Sequence, residues 1–190
     1  MESLTLRALK HEIDSRLPLA LLRVAPAPDG DGLALVTGPL ILIVDAGGRR
    51  PPIRFLPAPE PGPRGEKNRA FEWTGNASWH EVAWHLGTRA AGGRITAVHG
   101  HGLDRVLGIT IARKDRFGDA RQVTLVVEIF GRFVNVLLLD GGFDGAILAR
   151  LRDDNRGVAG ARIERGRHYE PPPRDRIDLE LDGEAALVER

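Results

Sequence analysis

Apolar positions along this chain recur at two periods. Between Leu4 and Leu17, Leu6, Leu9, Ile13 and Leu17 return at spacings of three and four, the signature of a helix buried along one face. Ser3 or Thr5 can cap it, and Pro18 ends it. The period then changes. Leu19 to Ala25, Gly32 to Thr37 and Leu40 to Asp45 read as strands, separated by the turn signals Thr37-Gly38-Pro39 and Ala46-Gly47-Gly48. Ile53 to Leu56 is a further short strand, and the Pro-rich run from Pro57 to Asn68 is a loop. A second helix is predicted from Ser78, where Ser78-Trp79-His80-Glu81 has the spacing of a capping box, to the stop at Ala91-Gly92-Gly93. Five strands follow: Arg94 to His99, Arg105 to Arg113, Gln122 to Phe130, Phe133 to Asp140 and Ala146 to Arg152. The last four form a meander with turns at Arg116 to Ala120, Gly131 and Gly141-Gly142. No internal repeat is visible. Two helices among eight or nine mostly antiparallel strands predict an α+β domain with a sandwich-like core.

Composition narrows the class. The chain has 190 residues, which suits one domain, and 42% of them are hydrophobic. There is no cysteine, so disulfides and thiolate zinc sites are excluded. The Met1-Glu2-Ser3-Leu4 start lacks the form of a signal peptide, and the longest apolar run, Leu40 to Val44, is far too short to cross a bilayer. A cytoplasmic protein without a membrane partner is expected. The net charge is only +1, but from 89 to 132 eight basic side chains face four acidic ones, and the last fourteen residues carry five acids against one base. All but three of the 27 basic residues are arginines. Their forks suit phosphate and base edges; a GC-rich genome gives the same bias.

The polar residues inside strong strands carry the candidate chemistry. A β core does not need Asp104, Arg105, Glu128, Arg132 or Asn135. Asp104-Arg105 enters a strand from a Gly-rich turn, a place from which loops present side chains to partners; a salt-bridged turn is the plain alternative. Arg132 and Asn135 suit phosphate or ribose, and Asn135 equally suits edge-strand backbone. Ile129 and Phe130 point to opposite faces of one strand, so one of them is core. Arg113, Lys114, Arg116 and Arg121 flank a hairpin and form either a phosphate rim or a solubilising edge. Metal and nucleophile chemistry is not supported. His80 and His85 are five apart, which places their rings about 140° apart on a helix, too far around to share one zinc. His99 and His101 sit in a Gly-rich turn. Gly100-His101-Gly102 is too short for a dinucleotide loop, and no Gly-x-Ser-x-Gly elbow occurs. No catalytic residue and no cofactor are expected. Trp79 and Trp84 are also five apart, so one packs on the sheet and the other lies nearer an edge.

Several segments, in order, resemble the N-terminal domain of the NFACT family, which includes RqcH, the fibronectin-binding protein A-like proteins and NEMF. They are Leu4-Thr5-Leu6-Arg7-Ala8-Leu9, Gly92-Gly93-Arg94-Ile95, Gly102 to Arg105, Gly118 to Arg132, Val134 to Asp140, and Gly166-Arg167-His168-Tyr169-Glu170-Pro171-Pro172-Pro173. The resemblance implies an N-terminal domain over 1–173, followed by 174–190 as an acidic exit segment or the start of a truncated domain. It implies a fold similar to the N-terminal domain of formamidopyrimidine-DNA glycosylases, a β-sandwich flanked by two helices. It also implies a binding module that contacts tRNA and the large ribosomal subunit in ribosome quality control, where full-length relatives add alanine tails to stalled chains. Asp104 and Arg105 would engage tRNA. Glu128-Ile129-Phe130 matches the family's Glu-Ile/Leu-Met triplet with Phe130 in place of Met, and an aromatic face can stack on a base. Members are several hundred residues long, so tailing by this chain alone is not expected. A fibronectin-binding adhesin is the first rival, weakened by the absent signal peptide. A nucleic-acid-processing enzyme related to the glycosylases is the second; it lacks the N-terminal proline amine that those enzymes use, so fold likeness carries no activity across.

Overall fold

The computed structural model describes residues 3–28, 31–47, 51–57, 72–100, 105–115, 117–130, 133–152 and 162–172. The chain runs α1 (Ser3–Asp14), β1 (Leu19–Pro26), β2 (Gly32–Thr37), β3 (Leu40–Asp45), β4 (Ile53–Pro57), a 3-10 turn (Ala77–Trp79), α2 (His80–Ala90), β5 (Arg94–Gly100), β6 (Val106–Lys114), β7 (Ala120–Phe130), β8 (Phe133–Asp140) and β9 (Ala146–Arg150). This is the expected α+β class. The nine strands hydrogen-bond in the order β4-β3-β2-β1-β5-β6-β7-β8-β9, and the pairs are antiparallel.

The sandwich-like core is made by one sheet that curls. β1 belongs to both halves: Leu19 and Ala20 pair with β5, and from Leu21 onward the strand pairs with β2. A register shift between Leu21 and Arg23 marks the changeover, as a bulge bends and twists a strand. The curl brings the ends of the sheet together, for the Arg152 Nη2 after β9 donates to the Ala46 carbonyl after β3 at 2.9 Å. The enclosed core joins Leu33, Leu35, Leu42 and Val44 of one half to Ile109, Leu125, Val127 and Leu138 of the other. α2 contributes Val82, Ala83 and Leu86, and α1 contributes Leu6 and Ile13.

Strands β6, β7 and β8 are buried on both faces. Leu107, Ile109, Ile111, Leu125, Val127 and Ile129 face the enclosed core. Val106, Val126, Leu137 and Leu139 face outward under Ile163 and Tyr169, in a second cluster. The chain after β9 therefore returns as a cover. Its backbone is tied down at Ile147 N to Arg167 O (2.9 Å), Gly166 N to Ile147 O (2.9 Å) and Tyr169 N to Gly145 O (3.0 Å). Two-sided burial explains why these strands read as apolar runs rather than as an alternation.

Helix starts are the main departure from the sequence reading. Ser78 and Glu81 do not form a capping box. Asn76 caps the 3-10 turn, its Oδ1 accepting from Ser78 N at 3.0 Å, and Ser78 Oγ also donates to it at 3.0 Å. α2 then begins at His80 without a side-chain cap, and Glu81 pairs with Arg165. The extra 3-10 turn tucks Trp79 into the core at 2% exposure while Trp84 stays 47% exposed. α1 stops at Asp14, three residues before the predicted end. Turn bonds from Arg16 N to Ile13 O (2.9 Å) and Leu17 N to Asp14 O (3.2 Å) tighten its last turn. The side chains of Ser3 and Thr5 lie outside the description.

Candidate nucleic-acid interface

The register gathers most of the sequence-selected residues at one end of the meander. Val106 pairs with Glu128, Glu128 with Asn135, and Phe130 with Phe133. Ile129 N donates to the Arg105 carbonyl at 2.7 Å, extending the β6–β7 ladder by one rung. Arg105, Glu128, Ile129, Phe130 and Asn135 thus occupy neighbouring rungs of three strands. Asp104, Arg132 and Arg116 lie outside the described residues, as does the side chain of Phe130.

The side chains that are described divide sharply. Arg105 is half-buried at the strand entry. Ile129 is core at 1% exposure. Asn135 holds backbone: its Oδ1 accepts from Arg152 N at 3.1 Å and Val136 N at 2.9 Å, and its Nδ2 donates to Arg152 O at 3.3 Å. Glu128 lies on the outer face with Val126, buried under the returning chain. Arg162 donates to both of its oxygens, Nη1 to Oε1 at 2.7 Å and Nη2 to Oε2 at 2.9 Å. Tyr169 adds its hydroxyl to Oε1 at 2.9 Å. Sequence reading expected Glu128, Ile129 and Asn135 to contact RNA; here each is engaged within the protein, and Arg105 and Asn135 are both half-buried at this end.

This buried triad is fully satisfied, as a charge in such a place requires. Arg162 Nη1 also donates to the Glu170 carbonyl at 2.7 Å, and its guanidinium lies 5.8 Å from the centre of the Tyr169 ring. Burial lowers the proton affinity of Arg162, but the Glu128 bond and charge outweigh it and the net direction is up. Burial, and then the Glu128 charge, push the Tyr169 hydroxyl far above its ordinary value. Beyond Tyr169 the outer face carries an aromatic row. Phe143 meets Tyr169 edge-on at 5.4 Å and stacks on His99 at 5.3 Å. Gly108 lies beneath it, where a Cβ would come within 2.4 Å of the Phe143 ring. His99 Nε2 then reaches Thr110 Oγ1 (2.9 Å), which reaches Thr124 Oγ1 (2.9 Å), which donates to the Gly141 carbonyl (2.8 Å).

The histidines of this domain predict an acid response. Burial, then the Lys10 charge, lower His99, with Asp14 pulling the other way. Burial, then Arg89, lower His85, whose Nδ1 is buried without a partner. A histidine with a depressed folded-state pKa contributes stability that is complete above its unfolded value of about 6.5 and is lost as pH falls through that value. The melting temperature is therefore expected to fall between pH 7.5 and 5.5, and His99→Gln should flatten the drop. A profile unaffected by that substitution would remove His99 from this account. Among the described residues no group of three His, Asp or Glu side chains could hold a metal ion.

The proposed phosphate rim lies elsewhere. Arg113, Lys114 and Arg121 stand at the hairpin end of β6–β7, where Lys114 pairs with Ala120. That end is eight residues along the ladder from the Val106–Glu128 rung, roughly 26 Å at the usual strand rise.

A family model described as NFACT N-terminal and middle domains matches residues 83–188, more than half of the chain. The chain belongs to the NFACT family. The fold has solved relatives. The N-terminal domain of the fibronectin-binding protein PavA from Streptococcus pneumoniae is similar with a TM-score of 0.66 at 19% identity, covering 100% of this chain and 71% of that one. The N-terminal part of the fibronectin/fibrinogen-binding protein FBPS from Streptococcus suis gives 0.73 at 20%, with 100% and 68% covered. The fibrinogen-binding protein from Staphylococcus aureus gives 0.64 at 19%, with 92% and 57% covered. No curated protein matches the sequence significantly. No helix among the described residues of this NFACT domain is long and apolar enough to cross a membrane.

Sequence reading missed Arg162 and gave Tyr169 no role beyond its place in the closing segment Gly166 to Pro173. One signal for such partners was present. A glutamate set between the apolar run Leu125-Val126-Val127 and Ile129 demands a cation if it is buried. Which arginine supplies it is written only in the path of the chain after β9.

Proposed function

We propose that this NFACT domain is the tRNA- and ribosome-binding module of a quality-control factor acting on stalled peptidyl-tRNA on the large ribosomal subunit. In the full-length protein it would position tRNA for C-terminal alanine tailing. It is not itself an enzyme and takes no cofactor. The observation that carries the reading is the rung register, which sets Arg105 beside the Glu128–Asn135 pair and so assembles the family's separated motifs at one edge. On this reading Arg105, with Asp104 before it, meets the RNA. Glu128 and Ile129 act from inside as positioning residues, fixing the rung from which that edge projects. The scaffold would be the glycosylase-type N-domain used for binding alone, in the cytoplasm. The test is fluorescence anisotropy of labelled tRNA against salt. Binding tighter than the non-specific range of about 10⁻⁴ to 10⁻⁶ M, lost in Asp104→Ala/Arg105→Ala, is expected; equal affinity of that variant would refute the edge. The names of two of the solved relatives favour a second reading, a fibronectin-binding surface protein. Cell fractionation separates the two.

A further inference from the structure

The hairpin end of β6–β7 carries a groove that the tRNA reading does not use. The β6–β7 tip, the last turn of α2 and the end of β8 enclose an open space of about 770 Å³, within the usual range of ligand sites, roughly 300–1,000 Å³. Three arginines from three elements line it: Arg89 of α2, Arg113 of β6 and Arg121 of β7. They face two carboxylates, Asp115 and Asp140, so the groove is net positive.

The arginines are oriented but not consumed. Arg113 Nη1 donates to Thr88 O at 3.1 Å. Arg121 Nε meets Asp115 Oδ2 at 3.4 Å, and Arg89 Nη1 lies 3.8 Å from Asp140 Oδ1. A guanidinium has five N–H donors in a planar fork, and these contacts use at most one of each. At the mouth stands Phe117, 75% exposed. Its presentation is built. Asp115 Oδ1 accepts from Phe117 N at 2.8 Å and Asp119 N at 3.1 Å, Gly118 N donates to Asp115 O at 3.1 Å, and Gly118 supplies the φ of +90° that the turn needs. The tip is thus held by its own bonds, with the Phe117 side chain largely exposed to solvent.

An aromatic plane beside arginine forks has the two features that an unpaired nucleotide requires, a face for the base and donors for the phosphate. We propose that this groove binds an unpaired stretch of nucleic acid, with Phe117 stacking on a base and Arg89, Arg113 and Arg121 holding the adjoining phosphates. The site is a second contact, separated from the Arg105 edge by the length of the β6–β7 ladder. It goes beyond the tRNA reading and does not depend on it.

The test uses the chain with a labelled, unstructured oligonucleotide, followed by anisotropy at several salt concentrations. Phe117→Ala should weaken binding about 5- to 140-fold, the range of one lost base stack. Arg113→Ala/Arg121→Ala should lower the salt slope by roughly two. All three positions are exposed, and an unchanged melting temperature confirms that the variants fold. Affinity and slope unchanged in both variants would overturn the proposal. So would displacement of the oligonucleotide by a polyglutamate peptide at equal concentration, which would mark a protein-binding surface instead. The two readings fail separately. tRNA binding that needs Arg105 but ignores Phe117 sinks only the groove. Oligonucleotide binding that needs Phe117, with tRNA affinity indifferent to Arg105, sinks only the tRNA edge. A chain that binds neither probe sinks both.

Discussion

Arg162→Ala is expected to destabilise the domain by about 3–5 kcal/mol, the usual cost of stranding one member of a buried ion pair. Glu128 would keep its place at 2% side-chain exposure but lose two of the three donors to its carboxylate. The damage would extend beyond the pair, because Arg162 also holds the Glu170 carbonyl and so helps fasten the cover over the outer face of β6–β8. For a chain of this length each kcal/mol moves the melting temperature by roughly 2–4 °C, so a drop of roughly 6–20 °C should appear in a thermal melt. Glu128→Leu/Arg162→Met removes both charges together and should recover much of the loss, since a buried pair replaced by well-packed apolar groups is often neutral or better. A single variant that melts with the native chain would show that the pair contributes nothing.

Tyr169 adds an alkaline signature to the same network. Its folded-state pKa is raised, with burial as the largest cause. The protonated hydroxyl therefore contributes stability that is complete below the unfolded value of about 10 and declines as pH rises past it. Tyr169→Phe, which deletes one donor to a buried carboxylate, should cost about 1–3 kcal/mol at neutral pH and should blunt that alkaline decline.

Gly145→Ala is expected to be nearly as damaging, at about 3 kcal/mol, the upper part of the usual range for forced overpacking. A Cβ there would stand 2.1 Å from the Asp140 carbonyl oxygen and 3.0 Å from that of Gly142. Both are backbone atoms, so no rotamer change relieves the clash and the β8–β9 turn itself must move. That turn is also an anchor: Gly145 N donates to Gly142 O at 3.0 Å, and Gly145 O accepts from Tyr169 N at 3.0 Å. Displacing it pulls Tyr169 away from Glu128. Amide exchange at Tyr169 should accelerate together with a lowered melting temperature. Gly142→Ala is the control, because its Cβ would meet only the Asp144 carboxylate at 3.3 Å, a side chain that can turn aside. Equal melting temperatures for the two variants would contradict the backbone clash.

The parts of this protein that were legible in its sequence are those fixed by local physics. Strand-forming runs and turn chemistry placed β2, β3 and β8 at their observed bounds, because Gly38-Pro39 and Gly141-Gly142 leave the backbone few alternatives. The order of short motifs from Leu4 to Pro173 pointed to the NFACT family, and the sequence selected Arg105 and Glu128 as polar residues out of place in a β core. Spacing also separated Trp79 from Trp84, though it could not say which one is buried.

The tertiary structure decided the rest. The capping-box reading failed because Ser78 and Glu81 have the right spacing in any conformation, whereas Asn76 caps first and Trp79 must be buried. That β6–β8 are covered on both sides follows from the return of residues 162–172, whose bonds to Glu128 span 34 and 41 positions of sequence and leave no periodic trace. The same return turns Glu128 from a surface candidate into the anchor of a buried triad. The β6–β7 register sets the Arg105 edge and the Phe117 groove at opposite ends of one ladder. A strand pattern records which residues alternate; only the path of the whole chain determines what lies against each face.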